Sequence, residues 1–160
     1  MNSNFFKLIL KLQKVKFGKK LLLKGIPVIY KKRNSKLEIG KNVTIKSSFL
    51  SNLIGLYSRS VIVTRTSEAE IRIGDNVSMS GVTIYARNKI VIGDSTLIGG
   101  NVKIIDNDFH PLDIEARNSD DKRKIRSKPI VIGKNCFIGV NAIILKGTSL
   151  NDGCVVGAGA

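Results

Sequence analysis

The sequence predicts an all-β protein folded as a parallel β-helix, a triangular prism of hexapeptide coils, with an N-terminal amphipathic helix and one extruded loop. Three observations predict it. An aliphatic side chain recurs every six residues, asparagine or glycine recurs three positions after it, and one long insertion interrupts the repeat. A six-residue period fits neither the roughly 3.6 of an α-helix nor the two of a flat strand, so the chain must turn a corner in every repeat.

The aliphatic position is expected to face the inside of the prism. Its members are Ile39, Ile45, Ile73, Met79, Ile92, Ile98, Ile104, Ile132, Ile138, Ile144, Leu150 and Val156. Four positions later the residue is small or β-branched, and this position includes Cys136 and Cys154, which we expect to be inert buried thiols. Three hexapeptides make one triangular turn, so equivalent residues of neighbouring turns should stack at about 4.8 Å.

The fourth position of each repeat is expected to form the corner. Ten of its thirteen residues are Asn or Gly. These residue types best tolerate a positive φ, so the backbone should turn left-handed there, between short strands.

Departures from the period indicate insertions. Ile39 and Ile73 are 34 residues apart, which we interpret as two turns minus two residues. Ile104 and Ile132 are 28 residues apart where six would suffice, so about 22 residues should leave the coil between about 109 and 129. A long excursion from a compact fold is usually functional or disordered.

Charge divides the chain into two parts. Of its 27 Lys and Arg residues, 11 lie in residues 1–36, where there is no acidic residue. The sequence therefore predicts a basic arm over 1–36 and a hexapeptide β-helix domain over 37–160. The length and the 42% hydrophobic content fit one domain with a core of its own.

The arm predicts an amphipathic helix at about 4–17, with one apolar face formed by Phe5, Leu8, Ile9, Leu12 and Val15. Such a helix could cap the open end of the prism and cover its unpaired strands. Alternatively, it could lie on an anionic membrane surface. No apolar run is long enough to span a bilayer, so we expect a cytoplasmic protein, with the arm as a point of peripheral contact at the inner face of the membrane.

The single histidine is the candidate catalytic residue. His110 lies where the coil gives way to the excursion, and Asp106, Asp108 and Asp113 flank it. A lone loop histidine is most often a solvated surface residue. Here, one of the three carboxylates could orient one ring nitrogen while the other nitrogen acts as a general base.

The chain resembles the hexapeptide-repeat acyltransferases, and among them the galactoside, maltose and polysaccharide O-acetyltransferases. The resemblance covers about 37–160. It rests on the IGDNV run at 73–77, HPLD at 110–113 followed by Arg117, KPIVIGKNCFIG at 128–139, ILKG at 144–147 and VGAG at 156–159. Pairing TIYA at 83–86 with DNDFH at 106–110 most resembles enzymes that acetylate cell-surface polysaccharide or its precursors, as in capsule or lipopolysaccharide.

The resemblance implies a left-handed coil and a homotrimer with acetyl-CoA lying between neighbouring prisms. In that family the loop histidine is the general base, which implies that His110 deprotonates a sugar hydroxyl as it attacks the thioester. The matching cofactor contacts are Phe137 beside the acetyl group and Gly139, Val140, Gly157 and Ala158 along the CoA channel.

The acceptor site departs from the galactoside type. Where those enzymes carry Asn and Asp for the acceptor, this chain has Gly81 and Ala86, which favours a different sugar. Tyr85, Arg87 and Arg117 are the candidate acceptor-binding residues. Relatives also continue past the VGAG motif, so the last coil is expected to be incomplete.

The sequence also bears on three other classes of protein. A zinc enzyme of the γ-carbonic anhydrase kind needs three histidine ligands and this chain has one, so we expect no metal. A non-enzymatic scaffold remains an alternative. The basic arm could also attract phosphate, but it carries no recognised nucleic-acid reader motif, so nucleic acid is a disfavoured partner.

Overall fold

In the computed structural model, which describes residues 3–160, two α-helices and seventeen strands are present. The helices are α1 (Ser3–Leu12) and α2 (Ile114–Asn118). The strands are β1 (Lys16–Phe17), β2 (Leu22–Lys24), β3 (Val28–Lys31), β4 (Lys36–Ile39), β5 (Thr44–Lys46), β6 (Val61–Thr64), β7 (Glu70–Ile73), β8 (Ser78–Ser80), β9 (Thr83–Ala86), β10 (Lys89–Ile92), β11 (Leu97–Gly100), β12 (Lys103–Ile105), β13 (Ile130–Ile132), β14 (Phe137–Ile138), β15 (Ile143–Leu145), β16 (Ser149–Leu150) and β17 (Val155–Val156).

The strands form three parallel sheets in which every third strand is a neighbour. Sheet 1 has the order β1-β4-β7-β10-β13-β16, sheet 2 the order β2-β5-β8-β11-β14-β17, and sheet 3 the order β3-β6-β9-β12-β15. Each turn of the coil therefore adds one strand to each sheet. The predicted fold class, a left-handed parallel β-helix, is confirmed.

The repeat positions behave as the pattern predicts. All aliphatic positions from Ile39 to Ile144 are buried, and Leu150 and Val156 in the last coil are partly buried. Nine of the thirteen corner residues have a positive φ, among them Asn76 (59°) and Asn135 (54°). The register that pairs Phe137 with Val155 sets Cys136 directly below Cys154, and both thiols are free.

Aspartates at the corner between sheets 1 and 2 join successive coils. Asp94 Oδ1 accepts a hydrogen bond from the backbone N–H of Asp75 in the coil below, at 2.9 Å. That N–H, together with the Lys134 ammonium, holds the pKa of the Asp94 carboxyl below its usual range. A Cβ at Gly74 would lie 2.5 Å from Asp94 Oδ1, so the glycine leaves room for the carboxylate.

The predicted domain boundary at residue 36 is wrong. Strands β1, β2 and β3 pair in register with β4, β5 and β6, so residues 16–31 form the first coil of the prism. Within residues 3–31, only α1 and the short connection after it lie outside the coil. Periodicity missed this coil because its corners carry Lys20 and Gly25 at irregular spacing.

The first helix is shorter than predicted and buries a different face. It ends at Leu12, and Phe6 and Leu10 are buried in the core with Val15, whereas Leu8 and Leu12 are 54% and 75% exposed. The packed side is thus the one that faces the first coil. The Phe5 side chain lies outside the described part of the chain. No helix within residues 3–160 has the length and apolar character needed to cross a membrane.

The chain leaves the coil twice, not once. Ile39 pairs directly with Ile73, so these residues are one turn apart and the interpretation as two turns is wrong. The extra residues form a loop over 47–60, between β5 and β6. The second excursion runs over 106–129, contains α2 and a 3-10 turn at Lys122–Lys124, and is closed at its base by a bridge between Asn107 and Ser127.

Candidate functional site

A groove of about 390 Å³ runs along the corner between sheets 2 and 3, where β11, β14 and β17 end. All five residues predicted to bind the cofactor line it, together with residues of two coils and of the 47–60 loop. They are Phe137, Gly139, Val140, Gly157 and Ala158, joined by Gly99, Gly100, Asn52 and Ile54. Gly139 and Gly157 are 18 residues apart, which is one full turn of three hexapeptides, so the two stretches form one continuous surface.

Glycine forms the floor of the groove because the coils approach closely. A Cβ at Gly99 would lie 2.8 Å from Val140 N, and a Cβ at Gly139 would lie 2.5 Å from Ala158 N. In contrast, a Cβ at Gly157 would meet no atom within 4 Å, so it would project into open space. The upper part of the groove is therefore exposed backbone that a thin ligand can approach.

One wall of the groove is apolar. Phe137 is half exposed and stands in register between Leu97 below and Val155 above on the outer face of sheet 2. An apolar wall beside exposed peptide groups suits the pantetheine arm of CoA, which is narrow and carries amides along its length. The residues present therefore fit this acyl donor.

His110 lies at a different corner. It follows β12 on the 106–129 excursion, between sheet 3 and sheet 1, and it does not line the groove. Its side chain is exposed, and within the described residues its ring makes no hydrogen bond. Within one chain, the predicted base lies at the corner between sheets 3 and 1. The predicted cofactor residues lie at the other corner of sheet 3, where it meets sheet 2.

A tight, unusual turn presents His110. The backbone N–H of His110 donates to the carbonyl of Asp108 at 2.6 Å, which closes a turn around Phe109. Phe109 has φ of 59°, a conformation that bulky side chains rarely adopt. The Phe109 ring packs on Tyr85 with a centroid separation of 4.7 Å, and Asn107 Oδ1 accepts the Phe109 N–H at 2.9 Å. Strained backbone of this kind concentrates at functional sites.

The carboxylate of Asp108 ties this turn to the next coil. Its Oδ1 accepts a hydrogen bond from Lys146 Nζ at 2.5 Å, and both side chains are largely buried. Among the described residues, Asp108 Oδ2 is buried without a partner. The sequence analysis missed Lys146, since 38 residues separate the two and no local motif links them.

The other two carboxylates have structural partners. Asp106 is fully buried, and its two oxygens accept the backbone N–H groups of Arg87 and Asn88 at 2.8 and 2.7 Å. Asp113 caps α2 by accepting the Ala116 N–H at 2.8 Å. Neither carboxylate hydrogen-bonds the His110 ring within the described residues, and both hold backbone N–H groups instead.

The candidate acceptor residues surround the same turn. Tyr85 supports Phe109, and the backbone of Arg87 is held by Asp106. Arg117 donates through one guanidinium nitrogen to the carbonyls of Pro111 and Leu112, at 3.2 and 3.0 Å, and so braces the segment that follows His110. Gly81 and Ala86, at the positions of the galactoside-type acceptor residues, are both buried.

The 47–60 loop is the second part of the site that sequence analysis missed. A hydrogen bond joins the two ends of this loop: the Ser60 hydroxyl donates to the Lys46 carbonyl at 2.8 Å. Tyr57 covers Lys103, whose ammonium lies 5.5 Å from the ring centroid, and burial lowers the pKa of Lys103. The sequence signal was present as the 34-residue interval between Ile39 and Ile73, which a one-turn interpretation would have read as an insertion. Within residues 3–160, no cluster of three or more His, Cys, Asp or Glu side chains is placed to hold a metal ion.

Comparison with known proteins identifies the same repeat. The family described as "hexapeptide repeat of succinyl-transferase" matches residues 129–160, which contain much of the groove. A probable acetyltransferase of Mycobacterium tuberculosis is 33% identical over 144 residues, which cover 89% of this chain and 43% of that protein.

Two Escherichia coli proteins are also similar. The galactoside O-acetyltransferase is 34% identical over 93 residues, covering 58% of this chain and 44% of the relative. A candidate O-acetyl transferase of lipopolysaccharide biosynthesis, WbbJ, is 34% identical over 90 residues, covering 52% and 46%. The chain spans less than half the length of each of these curated relatives. The coiled prism and these matches together show a hexapeptide-repeat protein that is similar to acetyltransferases.

Proposed function

We propose that this protein is an acetyl-CoA-dependent O-acetyltransferase that acts on a sugar hydroxyl of a cell-surface polysaccharide or its precursor. The observation that carries the proposal is the groove, in which all five residues matched to the family's CoA contacts form one apolar, glycine-floored surface. The names of two relatives support O-acetyl transfer, and one of these names refers to lipopolysaccharide biosynthesis.

The proposed active site is shared between neighbouring prisms of a homotrimer. His110 and the groove stand at opposite edges of sheet 3 in one chain, so a second copy is needed to bring them together. Sheets 2 and 3 carry exposed apolar residues, including Phe137, Val155, Ile143 and Leu145. Sheet 1 instead carries charged side chains in its lower coils, such as the Lys16–Glu38 pair. Contact between an apolar face of sheet 2 and one of sheet 3 is heterologous, and such a contact can close a ring.

The chemistry needs no acyl-enzyme. The groove would hold the thioester while His110 of the neighbouring prism removes the proton from the acceptor hydroxyl. The acceptor oxygen adds to the thioester carbonyl, and the tetrahedral intermediate then expels the CoA thiolate, which takes up the proton from the imidazolium. Backbone N–H groups near the groove floor are suited to stabilise the oxyanion. Holding both substrates together supplies the rest of the acceleration.

Binding of CoA tests this function directly. Gly157→Val should fill the groove and weaken CoA binding by about tenfold or more, equivalent to about 1.4 kcal/mol. A Cβ at this position meets no protein atom within 4 Å, so the fold should persist. Ser149→Val, in the same coil but on the outer face of sheet 1, is the matched control. Calorimetric titration with CoA would contradict the proposal if wild type failed to bind, or if both variants bound equally well.

A specific observation favours membrane contact as an accessory function of α1. The exposed Leu8 and Leu12 lie one helical turn apart, and Lys7 and Lys11 stand beside them. An exposed apolar stripe flanked by cations is the pattern of a helix lying at a lipid interface. We propose that this face touches an anionic membrane surface while the opposite face caps the prism.

The membrane proposal predicts selective loss of vesicle binding. Replacing Lys7 and Lys11 with Gln should weaken binding to phosphatidylserine-containing vesicles by about tenfold or more, since each cation near an anionic surface contributes about 1 kcal/mol. The same change at Lys19 and Lys20 is the control. Co-sedimentation in parallel with DNA binding decides the matter, because loss of DNA binding with vesicle binding unchanged would contradict a membrane role.

A further inference from the structure

The 47–60 loop climbs along the same corner of the prism that holds the groove. It leaves the coil after β5, passes β8, reaches β11 two coils higher and then returns to β6. Leu56 is buried there, and a Cβ at Gly81 would lie 3.2 Å from its Cδ2. The lower part of the corner is therefore filled by the protein's own loop, and the groove is the part left open above it.

Two hydrogen bonds fix the top of the loop. The Asn101 side chain accepts the Tyr57 N–H at 3.3 Å through Oδ1 and donates through Nδ2 to the Gly55 carbonyl at 3.0 Å. Asn101 is itself buried, in a left-handed corner of the coil. The residue between these anchors and the groove, Ile54, is thereby held in place instead of moving freely with the loop.

Ile54 forms the lower end of the groove. It lines the groove beside Gly100, where a Cβ would lie only 2.7 Å from Ile54 Cγ2. A side chain at position 100 would therefore force Ile54 to shift. Ile54 is nonetheless 57% exposed, so part of its side chain borders open space.

The height of Ile54 along the prism matches that of the histidine. Gly99 and Gly100 end β11, and β12, which precedes His110, belongs to the same coil. Rotation about an axis parallel to the prism preserves height, so His110 of a neighbouring prism would meet the groove at its lower end. The reacting thioester is then expected at that end, and the pantetheine arm would extend upward past Gly139 and Gly157.

We propose that Ile54 is a specificity-determining residue that closes the acyl end of the groove and restricts the donor to a short acyl group such as acetyl. The inference rests on the proposed CoA-dependent function. The branched side chain of Ile54 lies beside Gly100 in the groove lining, where it would restrict the room for a longer acyl chain. The difference of a few methylene groups in such a site is worth roughly 10- to 200-fold in selectivity.

Donor binding tests the inference without knowledge of the acceptor. Calorimetric titrations would use CoA, acetyl-CoA and butyryl-CoA with the full chain. Wild type should bind acetyl-CoA at least about tenfold more tightly than butyryl-CoA, and Ile54→Ala should bring the two affinities within about threefold. Leu53→Ala, which alters the adjacent and more exposed side chain outside the groove, should behave as wild type.

A second variant tests the same role by enlarging the side chain at position 54. Ile54→Phe should weaken acetyl-CoA more than CoA, because the larger ring reduces the space for any acyl group. Equal effects of Ile54→Ala on all three ligands, or an unchanged ratio of acetyl-CoA to butyryl-CoA, would overturn the role of Ile54 while the CoA-dependent function stands. Failure of wild type to bind CoA itself would overturn both.

Discussion

Replacing His110 with alanine is expected to reduce acetyl transfer by about 10²- to 10⁴-fold, the usual contribution of a general base. The fold should be unaffected, because the side chain is exposed and its ring makes no hydrogen bond within the described chain. Removal of such a side chain typically changes the free energy of unfolding by less than about 0.5 kcal/mol. CoA affinity should also be largely retained, since His110 does not line the groove of its own chain and the proposed neighbouring His110 reaches only its thioester end.

The measurement is release of the CoA thiol from acetyl-CoA in the presence of a sugar acceptor, chosen as the one that supports the highest wild-type rate. Asn118→Ala, an exposed change in α2 of the same excursion, is the matched control and should retain wild-type turnover. Thermal melting shows whether each variant is folded, and CoA titration shows whether it still binds CoA. Retention of most of the transfer rate in His110→Ala would remove His110 from the mechanism.

The coil was predictable because its information is local and periodic. The inward aliphatic and the left-handed corner follow from the residue types at Ile92 and Asn76, which repeat at the period of the structure itself. The coil before Lys36 was missed for the converse reason. Its corners do not follow the six-residue spacing, and its basic composition suggested an arm instead of packed strands.

The candidate site was predictable only in part. Phe137 and Gly157 sit in repeats whose register fixes their face, so their meeting in one groove follows from the period. The pairing of Asp108 with Lys146 depends instead on the path of an irregular excursion. The contact of Ile54 with Gly100 likewise depends on a loop that climbs two coils, and no spacing on the sequence encodes it.

The first helix shows a similar limit. Its amphipathic character was visible on the sequence, but several overlapping apolar faces fit the same residues. Packing against the first coil selected the side with Phe6 and Leu10 and left Leu8 exposed. Tertiary contacts thus decided which face is buried, as is usual for a short helix whose stability comes from packing.

In the proposed trimer, one active site combines the groove of one prism with His110 of the next. Two variants each disable one of these two parts of the active site. His110→Ala keeps the groove and removes the base, whereas Gly157→Val keeps the base and fills the groove. Each alone should be nearly inactive, and light scattering should show both as trimers, since neither change alters the outer faces of Ile143 or Leu145.

Co-expression of the two variants with different tags tests the claim most directly. In a ring of three, every mixed trimer contains one site with an open groove and an intact histidine, so trimers that carry both variants should show about one third of wild-type transfer. Trimers carrying both tags would be purified and assayed for thiol release. Recovery near this level, from parents that are inactive alone, is the result we expect. Activity of mixed trimers no higher than that of the two parents would contradict a site shared between prisms.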